Sequence, residues 1–203
     1  MAAFLVSALI GYACGSIPVG VLLARSAGVD PRQVGSGNIG ATNVARTAGR
    51  GLGLATLAGD ALKGIVPVLI AGRLWPDASV AATAGLAAFL GHVFPFTLGF
   101  AGGKGVATAL GVLAMLCPLA LLSAFGMFVA VFARWRYVSL ASVVAAASAP
   151  LAIAALGCSR ASLVAGLAMT VVVIARHADN LRRLRAGTEP TFGLLKKQAS
   201  LSD

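Results

Sequence analysis

From residue 2 to residue 176 the chain is apolar in runs that approach the roughly 20 residues an α-helix needs to cross the hydrocarbon core of a bilayer. Such runs imply an all-α, polytopic integral membrane protein, a single membrane domain over residues 1–203. Composition agrees: 11% of residues are charged, against about 25% in soluble domains, and the mean hydropathy is +0.92. The first run, 2–24, has no basic residue ahead of it and is long enough to span, so it reads as a transmembrane helix and not as a cleaved signal peptide. The other runs are 51–72, 79–98, 106–133, 138–156 and 161–175.

The run 106–133 is 28 residues long and carries Cys117-Pro118 in its middle, so one crossing or two must be decided on other grounds. Basic residues decide it. With two crossings, 106–117 and 118–133, thirteen of the sixteen Lys and Arg share one side, Arg73 and Arg160 lie on the other, and Lys63 falls within a span. The positive-inside rule favours that arrangement. The expectation is therefore seven transmembrane helices, with the N-terminus outside and the C-terminus cytoplasmic. The net charge of +10 then reports topology and attraction to anionic membrane lipid, not nucleic-acid binding. Cys14, Cys117 and Cys158 lie in or beside apolar stretches without metal-ligand spacing and read as small core residues.

This topology brings three polar islands to the cytoplasmic face, in loops 34–50, 99–105 and 176–189. The first, "GSGNIGATNVAR" (35–46), reads either as a flexible connection or as an anion nest built on its Gly backbone. Its near lack of charged or Pro filler favours the nest, with Ser36, Asn38, Thr42 and Asn43 as neutral donors and Arg46 as a guanidinium fork. In the second, "GHVFPFTLGFAGGKGVAT" (91–108), Gly102-Gly103-Lys104 precedes an apolar helix, where free N–H groups and the helix dipole attract anions. His92 reads more readily as a structural hydrogen-bonding group. The third, "RHADNLRRLRAGTE" (176–189), puts His177 and Asn180 three apart on one face of a helix extending the last span. Lipid head groups explain part of Arg182–Arg185 but require neither His177 nor Asn180. Within the second run Asp60 and Lys63, at i and i+3, form a pair that either serves the site or braces the fold. Ser139 and Ser142 reach the same cytoplasmic surface.

The inventory excludes much chemistry. Six acidic residues form no carboxylate cluster, so no metal site is expected, and neither H-E-x-x-H nor GxSxG occurs. Neither His is followed by an Asp at the spacing that serves thioester-dependent glycerolipid acyltransferases as a base. What remains suits two phosphorylated substrates, one of them hydrophobic, with a donor already activated.

The three islands, in order, resemble the cytoplasmic motifs of the bacterial membrane glycerol-3-phosphate acyltransferases that use acyl phosphate. "GDALKG" (59–64) and "RYVSLAS" (136–142) resemble that family's secondary signatures. The resemblance covers nearly the whole chain. It implies transfer of a fatty acyl group from acyl phosphate to the 1-hydroxyl of sn-glycerol 3-phosphate, giving lysophosphatidic acid and phosphate, the first step of phospholipid synthesis. It also implies a place in the bacterial cytoplasmic membrane, no cofactor, and a functional link to an enzyme that makes acyl phosphate. Carried over by position, Ser36 and His177 would be catalytic. Arg46, Gly102, Gly103, Lys104, Ser142 and Asn180 would bind glycerol 3-phosphate, and Gly37, Asn38, Thr42 and Asn43 the acyl-phosphate head. Asp60, Lys63, His92 and Ser139 would support them. The expected chemistry is direct attack by the glycerol hydroxyl, with a covalent Ser36 intermediate as the rival. From another class, an organophosphate or anion transporter shares the helices and phosphate loops. It is disfavoured because the donors gather on one face and no internal repeat is evident.

Overall fold

A computed structural model describes residues 1–192; Lys196 and Lys197, counted above among the basic residues, lie outside the described residues. The described residues are helical, without strands. The helices are α1 (Ala2–Gly15), α2 (Val19–Arg25), α3 (Ala41–Thr47), α4 (Arg50–Leu74) and α5 (Ala78–Val93), then α6 (Val106–Leu116), α7 (Pro118–Trp135), α8 (Val138–Ala155), α9 (Arg160–Arg176) and α10 (Ala178–Arg185). A 3₁₀ turn, Phe96–Leu98, follows α5. Five stretches are long and apolar enough to cross a membrane: Ala2–Arg25, Arg50–Leu74, Ala78–Leu98, Pro118–Trp135 and Val138–Ala155. The bent pair α9–α10 is a sixth when taken as one span. At 11 residues, α6 is about 16 Å long, roughly half the hydrocarbon thickness.

Helix association in lipid cannot rely on the hydrophobic effect, so close packing through small residues replaces it. Where α1 meets α5, a Cβ on Gly15 would stand 2.0 Å from the Ala88 carbonyl oxygen. Where α4 meets α6, one on Gly111 would stand 2.1 Å from the Ala61 carbonyl oxygen. Backbones touch at both crossings.

Breaks in the helices are chemically compensated, as they must be where no water reaches. Pro18 ends the first stretch of helix, because its ring cannot donate to the preceding turn. Of the carbonyls this frees, Ser16 O accepts from Thr97 Oγ1 at 2.5 Å and Ile17 O from Lys63 Nζ at 2.9 Å. Cys117, extended at φ −158° and ψ 80°, separates α6 from α7 ahead of Pro118. It is bonded to Cys158, in the turn between α8 and α9. The reading of Cys117 and Cys158 as simple core residues is thereby corrected: tertiary packing brings their Cα atoms to 6.3 Å across 41 residues of sequence. Cys14 is a half-buried free thiol.

Candidate active site

Three segments converge at one end of the bundle: the loop leading into α3, the turn leading into α6, and the junction of α9 with α10. Below them opens a cavity of about 1030 Å³.

The first loop is anchored at its entry by Asp30, whose carboxylate accepts from Arg32 Nη2 at 2.6 Å and Arg25 Nη2 at 3.2 Å. Its centre is organised by Asn43, which is buried. Asn43 Oδ1 accepts from the Ser36 N–H at 2.9 Å, and Nδ2 donates to Pro31 O and Asn38 O, both at 2.8 Å. Gly35 passes so close that a Cβ would lie 2.2 Å from Asn43 Oδ1, and its φ of +64° is itself a glycine conformation. Asn38 Oδ1 accepts from Gly40 N–H, and the Gly37 N–H donates to Val34 O. The Ser36, Gly37 and Gly40 amides and the Asn43 carboxamide are thus engaged within the loop, which narrows the open anion nest read from the sequence to its remaining donors. What faces the cavity with capacity to spare is Ser36, whose hydroxyl makes no hydrogen bond among the described residues, together with Asn38 Nδ2, Thr42 and Arg46. Arg46 Nη2 also donates to Pro190 O at 3.3 Å, tying this loop to the end of the third motif.

The second segment differs from expectation in the same way. The Gly102 N–H donates to Val93 O and the Gly103 N–H to His92 O, so neither is a free donor. Both residues are buried and neither lines the cavity. Their carbonyls are gripped by Arg176, through Nη2 at 2.9 Å to Gly102 O and Nε at 3.3 Å to Gly103 O. A Cβ on Gly103 would meet His92 Nε2 at 2.1 Å, so the turn rests directly on the imidazole. His92 Nδ1 stands 3.6 Å from Asp60 Oδ1, which lies 3.0 Å from Lys63 Nζ. This buried trio underlies the turn that presents Lys104, and Asp60 and His92 form part of the cavity wall.

Lys104 Nζ donates to Asn180 Oδ1. Burial, reinforced by the positive charges of Arg183, Arg176 and Arg46 and partly offset by Glu189, pulls the Lys104 ammonium down to about 8.

In the third segment the helix bends by 53° after Arg176, so His177 caps a kink and does not continue the α9 face. Its Nδ1 donates to Val173 O at 2.7 Å, which leaves Nε2 as the nitrogen with a lone pair. Burial first, then the Lys104 charge, lower His177 to about 4, so the ring is neutral at neutral pH.

Glu189 is the residue that sequence reasoning passed over. It is 9% exposed, and its Oε1 accepts from Asn180 Nδ2 at 2.6 Å and Ser139 Oγ at 2.7 Å, while Oε2 accepts from Arg183 Nε at 2.8 Å. Burial opposes its ionisation, but these hydrogen bonds outweigh burial and hold the carboxyl below its ordinary range. Its only sequence signal is that it is a lone acid following a basic helix. Ser142 Oγ donates to Val138 O at 2.8 Å and, like Ser139, lines the cavity. Asp179 and Arg182 pair with each other on the exposed face of α10.

Below this polar head the walls turn apolar, through Leu113, Phe125, Phe128 and Phe132 on one side and Ile153 and Met169 on the other. A cationic head beside the neutral His177, opening onto an apolar shaft inside a helical membrane protein, has the chemistry that suits a phosphorylated amphiphile. The family model described as "Glycerol-3-phosphate acyltransferase" matches residues 5–187. A glycerol-3-phosphate acyltransferase of Geobacter sulfurreducens is 56% identical over 191 residues, covering 93% of this chain and 97% of its own. One of Geotalea daltonii is 54% identical over 182 residues, covering 89% and 93%. Among solved structures, the glycerol 3-phosphate form of PlsY, an integral membrane glycerol 3-phosphate acyltransferase, superposes with a TM-score of 0.90 at 42% identity over 95% of this chain and 96% of that one. Its lysophosphatidic acid form superposes at 0.88. The chain belongs to the glycerol-3-phosphate acyltransferase family and is a membrane-integral acyltransferase.

Proposed function

We propose that the protein transfers a fatty acyl group from acyl phosphate to the 1-hydroxyl of sn-glycerol 3-phosphate, releasing lysophosphatidic acid and inorganic phosphate. The observation that carries this reading is the cavity in which Arg46, Lys104 and Arg183 surround the head and an aromatic-lined shaft leads away from it. One compartment accommodates two phosphates and one fatty chain.

In this scheme Lys104 and Arg46 neutralise the phosphate of the acceptor, with Asn180 and Ser142 beside it. Ser36 and Thr42 hydrogen-bond the acyl-phosphate head. The glycerol hydroxyl oxygen attacks the acyl carbonyl carbon, the carbon–oxygen bond to phosphate breaks, and the departing phosphate accepts the hydroxyl proton. His177 Nε2, neutral and lone-paired, orients the hydroxyl and assists this transfer. A covalent Ser36 intermediate is less well supported, since no base is hydrogen-bonded to the Ser36 hydroxyl among the described residues. Asn43, Gly102 and Gly103 act by holding their loops, and Asp60, Lys63 and His92 by bearing the Lys104 turn.

The reading places seven crossings in a bacterial cytoplasmic membrane, with the N-terminus outside and the site on the cytoplasmic face. Two features support it. Most of the described basic residues, Arg73 and Arg160 excepted, gather at the site's end of the bundle, and the disulfide lies at the other, where an oxidising periplasm would preserve it. The donor implies a functional link to an enzyme that makes acyl phosphate. The test is purified protein with palmitoyl phosphate and glycerol 3-phosphate, followed by phosphate release and lysophosphatidic acid formation. Failure to release phosphate, with uptake of glycerol 3-phosphate into proteoliposomes instead, would favour the transporter reading, which the family comparisons do not support.

A further inference from the structure

Part of the apolar shaft's wall is backed by a covalent cross-link. α6 starts just after Lys104 and ends just before Cys117, while α9 starts just after Cys158 and ends just before His177. Both cysteines therefore sit at the helix ends remote from the polar head. Leu113, Ala124, Ala149 and Ile153 pack with Cys117 in one buried cluster, and the same four side chains line the cavity. Cys117 is 2% exposed and lies behind that wall, with Cys158 packed against it from the other side. The bond thus ties the α6–α7 break to the α8–α9 turn behind this part of the cavity wall. Along α8 the axial distance from Ser142, at the head, to Ile153, at this wall, is about 16 Å.

We propose that the Cys117–Cys158 disulfide sets the depth of the acyl-chain site and so limits the chain length of the donor. The proposal rests on the acyl-transfer reading above. With the bond in place the wall cannot retreat, and a donor with further methylenes must overpack it or leave them unburied. Without it, the α8–α9 turn is free to move outward. That turn contains Gly157 in the left-handed region at φ +66°, with no atom within 4 Å of the position its Cβ would occupy. The shaft then deepens at its end, while the head, about 16 Å away, keeps its geometry.

The experiment compares kcat/KM for myristoyl, palmitoyl and stearoyl phosphate with glycerol 3-phosphate, using the full chain in three states: oxidised, reduced with dithiothreitol, and as Cys158→Ala. Reduction gives two thiols while the dithiol gives up two electrons and two protons and closes to its own cyclic disulfide; alkylation and mass measurement confirm each state. The stearoyl-to-myristoyl ratio is expected to rise about tenfold in both altered states, the lower end of what one methylene is worth in a hydrophobic pocket. The myristoyl value should stay within about twofold. An unchanged ratio overturns the proposal, as does an equal loss at all three lengths, which would mark the bond as merely structural. Two freely alkylated thiols at Cys117 and Cys158 in the protein as purified overturn it as well. Reduction needs no refolding of a variant, so poor folding of Cys158→Ala leaves the test intact. Oxidised wild type inactive on all three donors would instead refute the acyl-transfer reading, a distinct result.

Discussion

In the proposed reaction Lys104 is the group whose charge holds the acceptor phosphate and whose charge is easiest to remove. Its ammonium is brought down to about 8, from an ordinary 10.5, by burial and by the guanidiniums of Arg183, Arg176 and Arg46, with Glu189 pulling the other way. The cationic form, present below about pH 8, is in the proposed scheme the one that binds a phosphate dianion. Above that pH, binding must first restore the proton. The apparent affinity for glycerol 3-phosphate should therefore fall by about tenfold for each further pH unit, since one unit of protonation equals one decade of equilibrium. On folding the same shift acts with opposite sign. The unfolded lysine stays charged up to 10.5, so the folded state's cost of burying the charge is full below about 8 and is relieved as pH rises between those values. Steady-state KM for glycerol 3-phosphate, measured from pH 6.5 to 10 in wild type and in Lys104→Arg, gives the check. Wild type should bend upward near pH 8, and the arginine variant, whose guanidinium stays charged, should run flat whatever its absolute KM. Lys104→Met should lose about 1.5–3 kcal/mol of phosphate binding, the worth of a hydrogen bond to a charged group. A flat wild-type profile, or the same bend in Lys104→Arg, would refute the assignment of this charge to the acceptor phosphate.

Glu189→Gln removes the charge that gathers Asn180, Ser139 and Arg183; a loss of about 2–3 kcal/mol is expected, read as a lower Tm and a raised KM for glycerol 3-phosphate. His177→Ala should lower kcat by about a hundredfold or more, as removal of a proton-transfer group does. Because wild-type His177 titrates near 4, wild-type kcat should keep its His-dependent part down to about pH 5; an acid limb centred at 6 to 7 that disappears in His177→Ala would contradict the neutral ring. Gly35→Ala puts a methyl 2.2 Å from Asn43 Oδ1 at a positive φ, so activity should collapse while the helical circular dichroism of the bundle survives. Wild-type kcat/KM in that variant would show that the first loop tolerates rearrangement.

What could be read from the chain alone follows from local properties. Apolar runs and Pro interruptions mark where helices lie and break, because bilayer thickness sets a length and Pro removes a donor within a few residues of itself. The polar islands stood out for the same reason, being the stretches that could not be buried in lipid. Ser36, Arg46, Lys104, His177 and Asn180 were all named from them, and all face one cavity. Which island residues were spare and which were already occupied was not legible. The Gly102 and Gly103 amides looked free beside a helix start, yet Val93 and His92 accept from them and Arg176 holds their carbonyls from 73 and 74 residues away. Asn43 looked like a ligand and proved to be the post on which its loop is wound. Glu189 carried almost no signal, because its importance lies in partners on α8 and α10.

Sequence by itself determined the class of molecule, the positions of most helices, and the three segments that form the polar end of the cavity. These depend on hydropathy and backbone chemistry, which act over a few residues. Tertiary structure alone decided the division of labour within those segments, the apolar shaft beneath them, and the Cys117–Cys158 bond behind part of its wall. Each of these joins groups far apart in the chain, and hydrogen-bonding capacity and buried space are assigned only when the helices pack.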